Sequence, residues 1–188
     1  MKHVTHALFA ALFTLMLGIG VALAQTTHEV MMVTEMIEGR PIPAFYFEPV
    51  GLLIQPGDTV RFVAAGPHHT ATAYHGQHVK SHRVPEGVGP FSSPVVPVGD
   101  VWEHTFDGAG TYDLWCAPHE HYGMAMRIVV GEPGGPAMAP IDDRSPVGVY
   151  ANAALVLSDP ALDPAHILSN GSVSWAEISS DAKELPAQ

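Results

Sequence analysis

A series of short β-like runs limits the possible fold of this chain more than any other feature. Runs rich in Val, Ile, Phe, Tyr and Trp follow one another from about residue 29 to residue 131, with turn residues such as QPGD, DGAG and GEPGG between them. The runs are EVMMVTEM, FYFEPVGLLI, DTVRFVAA, DVWEHTF, GTYDLWC and MAMRIVVG. No long stretch with helical periodicity precedes residue 150. This pattern predicts an all-β sandwich of Greek-key type.

The N-terminal segment has the pattern of an export signal. A weakly basic start, MKH, precedes an almost unbroken apolar run, and Ala22-Leu23-Ala24 has the small-x-small pattern of a cleavage site. We therefore predict a cleavable signal peptide over residues 1–24 and a periplasmic or extracellular mature chain. A transmembrane anchor is the alternative, but no cluster of charges follows the apolar run. We expect no stable membrane span after cleavage.

The mature chain is predicted to be acidic. Loss of Lys2 leaves seven of the eight basic residues against all 19 acidic ones, which gives a formal charge of −12 with neutral histidines. Such a chain would not bind nucleic acid or anionic lipid through its charge. It favours partners with a basic docking face.

Cys116 is the only cysteine, so it cannot form a disulfide within the chain. In an exported protein it is a buried residue, a free thiol, half of an intermolecular bridge or a metal ligand. Its setting, YDLWCAPHEHYGM, favours a ligand, because Cys116, His119 and Met124 lie on one predicted turn between two β-runs. Soft sulfur with imidazole favours copper, and two histidines, one cysteine and a distant methionine form an electron-transfer copper site.

This interpretation requires a second histidine from elsewhere in the chain. The stretch GPHHTATAYH supplies two candidates, His68 and His69, directly after the run DTVRFVAA. Strand parity alone does not decide between them.

These stretches together resemble the cupredoxins, the small blue-copper proteins of the plastocyanin, pseudoazurin and halocyanin group. GTYDLWCAPHEHYGM is similar to the family's ligand loop, which has Cys, then His at plus three, then Met at plus eight. QPGDTVRFVAAGPHH resembles the strand before the first histidine, and VGDVWEHTFDGAGTYDLWC resembles the closing hairpin. The resemblance covers roughly residues 45–131. It implies a Greek-key sandwich with copper at one end and transfer of single electrons between larger redox proteins.

The resemblance also implies a ligand set for one type 1 copper ion per chain: His69, Cys116, His119 and Met124, with His119 as the exit for the electron. Family members often follow the first histidine with Asn, whose polar groups brace the cysteine loop. Thr70 takes that position if His69 binds, and His69 takes it if His68 binds. The run HTATAYH resembles halocyanin-like chains and favours His69, with His68 as the alternative.

Two segments lie outside this pattern. Residues 75–98, rich in Pro, Gly and His, predict a long loop excursion from the sandwich. Residues 132–188 begin as a linker, and we expect them to form a C-terminal extension that packs on the domain, with a short helix around residues 164–168. SVSWAEI could return to pair with a sheet edge. The predicted division is a signal peptide (1–24), a cupredoxin domain (25–131) and a linker with extension (132–188).

The predicted function is an exported copper protein that carries single electrons between a redox donor and an acceptor. The alternative is copper storage or delivery, which the ten histidines of the mature chain favour slightly. We expect no enzyme, because copper oxidases and reductases built from such domains need further domains. Four other histidines form a predicted surface patch near the copper end rather than a second metal site: His75, His78, His82 and His121.

Overall fold

The computed structural model describes residues 25–184, and the predicted signal peptide lies outside them. The strands that it contains are β1 (Thr27–Glu35), β2 (Ala44–Glu48), β3 (Gly51–Ile54), β4 (Asp58–Ala64), β5 (Thr72–Ala73), β6 (Val101–Phe106), β7 (Gly110–Trp115), β8 (Ala125–Val130) and β9 (Ser172–Val173). Its helices are α1 (Ala151–Leu157), α2 (Pro164–Asn170) and α3 (Ser180–Lys183). Over residues 25–184, no helix is long and apolar enough to cross a membrane.

The strands form two mixed sheets that pack face to face. Sheet A has the order β2-β1-β4-β6, and sheet B has the order β5-β7-β8-β3-β9. The pairs β1–β4 and β3–β8 are parallel, whereas the other neighbours are antiparallel. Inward-facing side chains of both sheets build the core, among them Val30, Met32, Phe47, Phe62, Tyr112 and Ile128. The predicted all-β cupredoxin sandwich is confirmed.

The run FYFEPVGLLI is divided between the two sheets. It gives β2 in sheet A and β3 in sheet B, and the chain crosses from one sheet to the other at Pro49 and Val50. Pro49 has no N–H to donate to a ladder of hydrogen bonds, so a continuous strand through this position is unfavourable. The sequence pattern alone showed one apolar run here, and the structure resolves it into two strands.

Sheet B is buried on both faces. Along β7, Tyr112 and Leu114 point into the sandwich core, whereas Thr111 and Asp113 are buried on the opposite face. All six residues of β8 are buried as well. The outer face of this sheet is covered by the excursion loop and the C-terminal extension, so the polar residues on it must find partners within the protein.

Asp113 is the centre of that buried polar face. Its carboxylate accepts hydrogen bonds from Arg83 Nε and Arg127 Nε, both at 2.8 Å. The two guanidinium groups also donate to main-chain carbonyl oxygens of the extension, Arg83 to Ala137 at 2.8 Å and Arg127 to Leu162 at 2.9 Å. The carboxylate of Asp113 raises the pKa of Arg127 although burial opposes this. One carboxylate thus joins sheet B, the excursion loop and the extension.

The C-terminal extension packs on the sandwich and adds a strand to it. β9 pairs with β3, with Val173 opposite Gly51 and Ser172 opposite Leu52, so the expected return of SVSWAEI to a sheet edge is confirmed. The expected helix near residue 164 is α2, which begins after Asp163, whose side chain accepts a hydrogen bond from the Ala165 N–H.

Helix α1 was not predicted. Its first turn has no side-chain cap, because the preceding residue is Tyr150, which makes no capping hydrogen bond. The composition ANAALVL favours a helix and was the available signal.

The excursion between β5 and β6 is confirmed as a long loop. It contains a 3-10 turn over Gly76–His78 and otherwise little regular structure. Two isolated bridges return it to the sandwich, Ser92 opposite Thr72 and Val96 opposite His69.

Candidate metal centre

Three side chains with metal-binding atoms meet in the protein interior just beyond the end of β7. The Cys116 Sγ lies 3.7 Å from the His69 Nδ1 and 3.5 Å from the His119 Nδ1. The two Nδ1 atoms are 3.3 Å apart. Across the part of the chain that the structure describes, this is the only group of three or more His, Cys, Asp or Glu side chains close enough to hold one ion.

The structure distinguishes the two neighbouring histidines. His69 is fully buried, and its Nε2 lies 2.9 Å from the Thr34 Oγ1 at the end of β1. A neutral imidazole whose Nε2 donates to Thr34 presents the lone pair of Nδ1 to the cluster. His68 is exposed and has a φ of 62°, so it lies on the turn outside the cluster.

The ligand loop is a tight turn closed by main-chain hydrogen bonds. The Cys116 carbonyl oxygen accepts from the N–H groups of His119 at 3.0 Å and Glu120 at 2.8 Å. Gly123 adopts a φ of 93°, which glycine reaches without strain, and this lets the chain turn back. Met124 follows, fully buried, and its N–H and carbonyl oxygen pair with His119 and Cys116. The predicted loop residues are therefore close neighbours.

Thr70 braces the cysteine from the other side of the site. Its N–H donates to the Cys116 Sγ at 3.3 Å, and its Oγ1 accepts from the Ala117 N–H at 2.8 Å. A hydrogen bond to sulfur restrains the side chain and adjusts its electron density. Thr70 thus supplies the contacts that the resemblance assigns to Asn after the first histidine.

Phe45 is a site residue that the sequence analysis missed. Its ring stacks on the His119 imidazole with centroids 3.9 Å apart and an interplanar angle of 7°. The Tyr122 ring lies 5.2 Å from Phe45 on the same surface. Phe45 comes from β2, far from the ligand loop in sequence, and no local spacing connects the two.

Burial sets the protonation of the cluster. It lowers the pKa of His69 to about 4, with further lowering from His119 and His68. It likewise lowers the pKa of His119 to about 4, aided by His121 and His68. Burial raises the pKa of the Cys116 thiol to about 11, against the hydrogen bonds from Thr70. Both imidazoles are therefore neutral at pH 7, and the thiol must release its proton when a metal binds.

The histidines of the excursion loop are not part of this cluster. The rings of His75 and His82 are 4.8 Å apart, and those of His75 and His78 are 6.5 Å apart. Within residues 25–184 they do not form a second three-ligand group. His104 lies in β6, and its ring stacks on that of Phe91 with centroids 3.9 Å apart.

The two-sheet fold and the buried cluster of one thiol and two neutral imidazoles define a small copper-binding protein of the cupredoxin class. Residues 25–131 match the family described as copper binding proteins, plastocyanin/azurin family, and the chain belongs to that family. The predicted resemblance and the predicted copper cofactor are thus confirmed.

Several known proteins are similar to this chain. A pseudoazurin of Paracoccus pantotrophus is 29% identical over 127 residues, which cover 68% of this chain and 79% of the relative. A pseudoazurin homologue of Rhizobium leguminosarum bv. viciae is 33% identical over 111 residues, which cover 59% of this chain and 64% of the relative. The crystal structure of a pseudoazurin from Hyphomicrobium denitrificans has a TM-score of 0.44 at 29% identity, over 57% of this chain and 77% of that one.

Proposed function

We propose that this protein is an exported carrier of single electrons that binds one copper ion through His69, Cys116, His119 and Met124. The observation that carries this proposal is the meeting of one thiol and two neutral imidazoles, all buried, within 4.8 Å of one another. Met124 is buried at the end of the same loop and is suited to be the weak axial ligand. Bound copper would supply reversible one-electron chemistry between Cu(I) and Cu(II).

The protein's role in this function is to hold the ligands still. The sandwich fixes Cys116 at the end of β7, Thr34 orients His69, and Phe45 packs against His119. A rigid ligand set keeps the rearrangement between the two oxidation states small, which favours fast transfer. Because the cluster is buried, water is kept from the ligand atoms.

His119 is the best candidate for the electron's route to the surface. It is 8% exposed, whereas His69 and Cys116 are fully buried. Its imidazole therefore reaches closest to solvent among these three side chains, and a partner that docks there would approach the metal through one ring.

The donor and the acceptor are proposed to be redox proteins with a basic docking face. The mature chain would carry a formal charge of −12, so long-range attraction would steer basic partners and weaken with salt. Periplasmic or extracellular location follows from the predicted signal peptide. We also keep the division into a cupredoxin domain (25–131) and an extension (132–188) as a proposal.

An absorption experiment tests the copper site. One equivalent of Cu(II) is added to the mature chain, followed by ascorbate and then an oxidant. An intense thiolate-to-copper band that bleaches and returns supports the carrier. A pale solution without that band contradicts it. Additional weakly held copper beyond one equivalent, without reversible bleaching, would instead favour storage or delivery.

The two adjacent histidines provide the matched variants for this test. His69→Gly should abolish the band, because it removes one of the three clustered donors. His68→Ala should leave the band largely intact, because His68 is exposed and outside the cluster. The reverse result would transfer the ligand role to His68.

A further inference from the structure

A buried acidic side chain stands directly beside a proposed copper ligand. Glu120 follows His119 in the ligand loop, is 1% exposed, and turns its carboxylate into the protein rather than toward solvent. Its Oε1 accepts hydrogen bonds from the Tyr74 hydroxyl at 2.8 Å and the Tyr150 N–H at 3.2 Å. Its Oε2 is paired with Lys80 Nζ at 2.5 Å. The carboxylate thus receives donors from three separate parts of the chain.

The Lys80 side chain is also buried, with 5% of its surface exposed. Its Nζ also donates to the Pro146 carbonyl oxygen at 2.7 Å, and it lies 4.6 Å from the ring centre of Trp115 and 4.8 Å from that of Tyr150. Trp115 directly precedes Cys116 on β7. The ammonium group therefore connects the excursion loop, the strand that carries the cysteine and the C-terminal extension.

The extension holds the ligand loop at a second point. The Asn152 side chain in α1 donates through Nδ2 to the His121 carbonyl oxygen at 2.6 Å. A Cβ on Gly123 would lie 3.6 Å from the Asn152 carbonyl oxygen, so α1 packs directly against the end of the turn. The turn Glu120–Tyr122 is thus supported from behind by residues that lie outside the matched family region.

These contacts have a consequence for the metal. A buried ion pair contributes little net stability, since desolvation offsets the attraction, but it fixes geometry once every polar atom is satisfied. The Lys80–Glu120 pair restrains the residue after His119, and it thereby restrains the main chain from which the His119 imidazole extends.

We propose that Glu120 is a positioning residue of the copper centre, and that its pairing with Lys80 makes residues 146–152 of the extension a working part of that centre. This inference rests on the proposed copper site. Glu120 does not contact the metal; it acts by holding the turn that carries His119.

Copper release and the thiolate band test this inference in the full mature chain. Glu120→Ala should speed loss of copper to an excess of chelator by about 10- to 100-fold and shift the band, as expected when a group that orients a ligand is removed. Glu120→Gln should lie between this variant and wild type, because its amide oxygen can still accept from Tyr74 and Tyr150. Asn152→Ala should speed release in the same direction.

Glu103 provides the matched control. It also loses one carboxylate from an ion pair, with Arg61 Nε at 3.0 Å, but its side chain is 57% exposed on β6. Glu103→Ala should leave both copper release and the band as in wild type. A Glu120→Ala protein with the wild-type release rate and band would overturn the inference, and so would equal effects of the two variants.

A folding failure of Glu120→Ala and the absence of a copper site can each be distinguished from failure of the inference. If Glu120→Ala does not fold, Glu120→Gln and Asn152→Ala carry the test, and wild-type behaviour of both overturns the inference. Absence of the thiolate band in the wild-type protein would instead refute the proposed copper site itself. The inference that Glu120 positions a ligand of that site would then fail as well.

Discussion

The substitution Asp113→Asn removes the negative charge that two buried guanidinium groups share. Arg83 and Arg127 each donate to this carboxylate at 2.8 Å, and Arg127 makes a further contact through Nη2 at 3.0 Å. Asparagine has nearly the same size but a neutral side chain with a single acceptor oxygen. The two cations then remain buried without the carboxylate with which both are paired, beneath the extension that they tie to sheet B.

The expected loss of stability is large. Removing one partner from a buried ion pair costs about 3–5 kcal/mol, because the remaining charge is left uncompensated. For a protein of this size, 1 kcal/mol corresponds to about 2–4 °C in melting temperature. We therefore expect Asp113→Asn to lower the melting temperature by roughly 6–20 °C. The thiolate band should not shift, because Asp113 lies on the face of β7 opposite to Cys116.

Urea unfolding of the copper-loaded protein measures the loss of unfolding free energy, and a thermal melt measures the fall in melting temperature, with Asp107→Asn as the control in both. Asp107 is exposed in the turn between β6 and β7, and its substitution should change the unfolding free energy by no more than about 0.5 kcal/mol. If Asp113→Asn stayed within the same margin, the buried network would not connect the extension to the sandwich, and this reasoning would fail.

Two further predictions concern the site. Thr70→Val removes the acceptor for the Ala117 N–H but keeps the N–H that donates to sulfur. Urea unfolding should therefore show a loss of about 0.5–1.5 kcal/mol with little change in the band, and an unaltered midpoint would contradict this. The metal-free protein should lose stability as pH falls from 6.5 towards about 4. In this range the histidines of the unfolded chain are protonated, whereas His69 and His119 in the folded protein stay neutral because their pKa values are lowered to about 4. His69→Gly should flatten this dependence, and an equal slope in both proteins would argue against it.

The parts of the site that the sequence predicted are the local ones. Cys116, His119 and Met124 lie on a single turn, so their spacing is enough to bring them together. For the second histidine ligand, the sequence left two adjacent candidates, His68 and His69. In the folded protein His69 is buried and His68 is exposed, and this difference favours His69.

The missed site residues come from distant parts of the chain. Thr34 and Phe45 reach the cluster from β1 and β2, and nothing in their local sequence marks them as its neighbours. Glu120 lies within the ligand loop, but the sequence alone predicts that a charged glutamate in a loop is exposed to solvent. Its burial depends on Lys80 and on the extension, which only the folded structure places against it.

The two faces of β7 explain why the extension matters to the site. The inward residues Tyr112 and Leu114 lead along the core to Cys116, whereas the outward residues Asp113 and Trp115 meet the buried cations Arg83 and Lys80. Strand alternation in the sequence would place this second set in solvent, yet the extension covers it. Each buried cation there also binds a main-chain carbonyl of the extension. Through these cations the extension is tied to β7, and through Glu120 it is tied to the turn that carries His119.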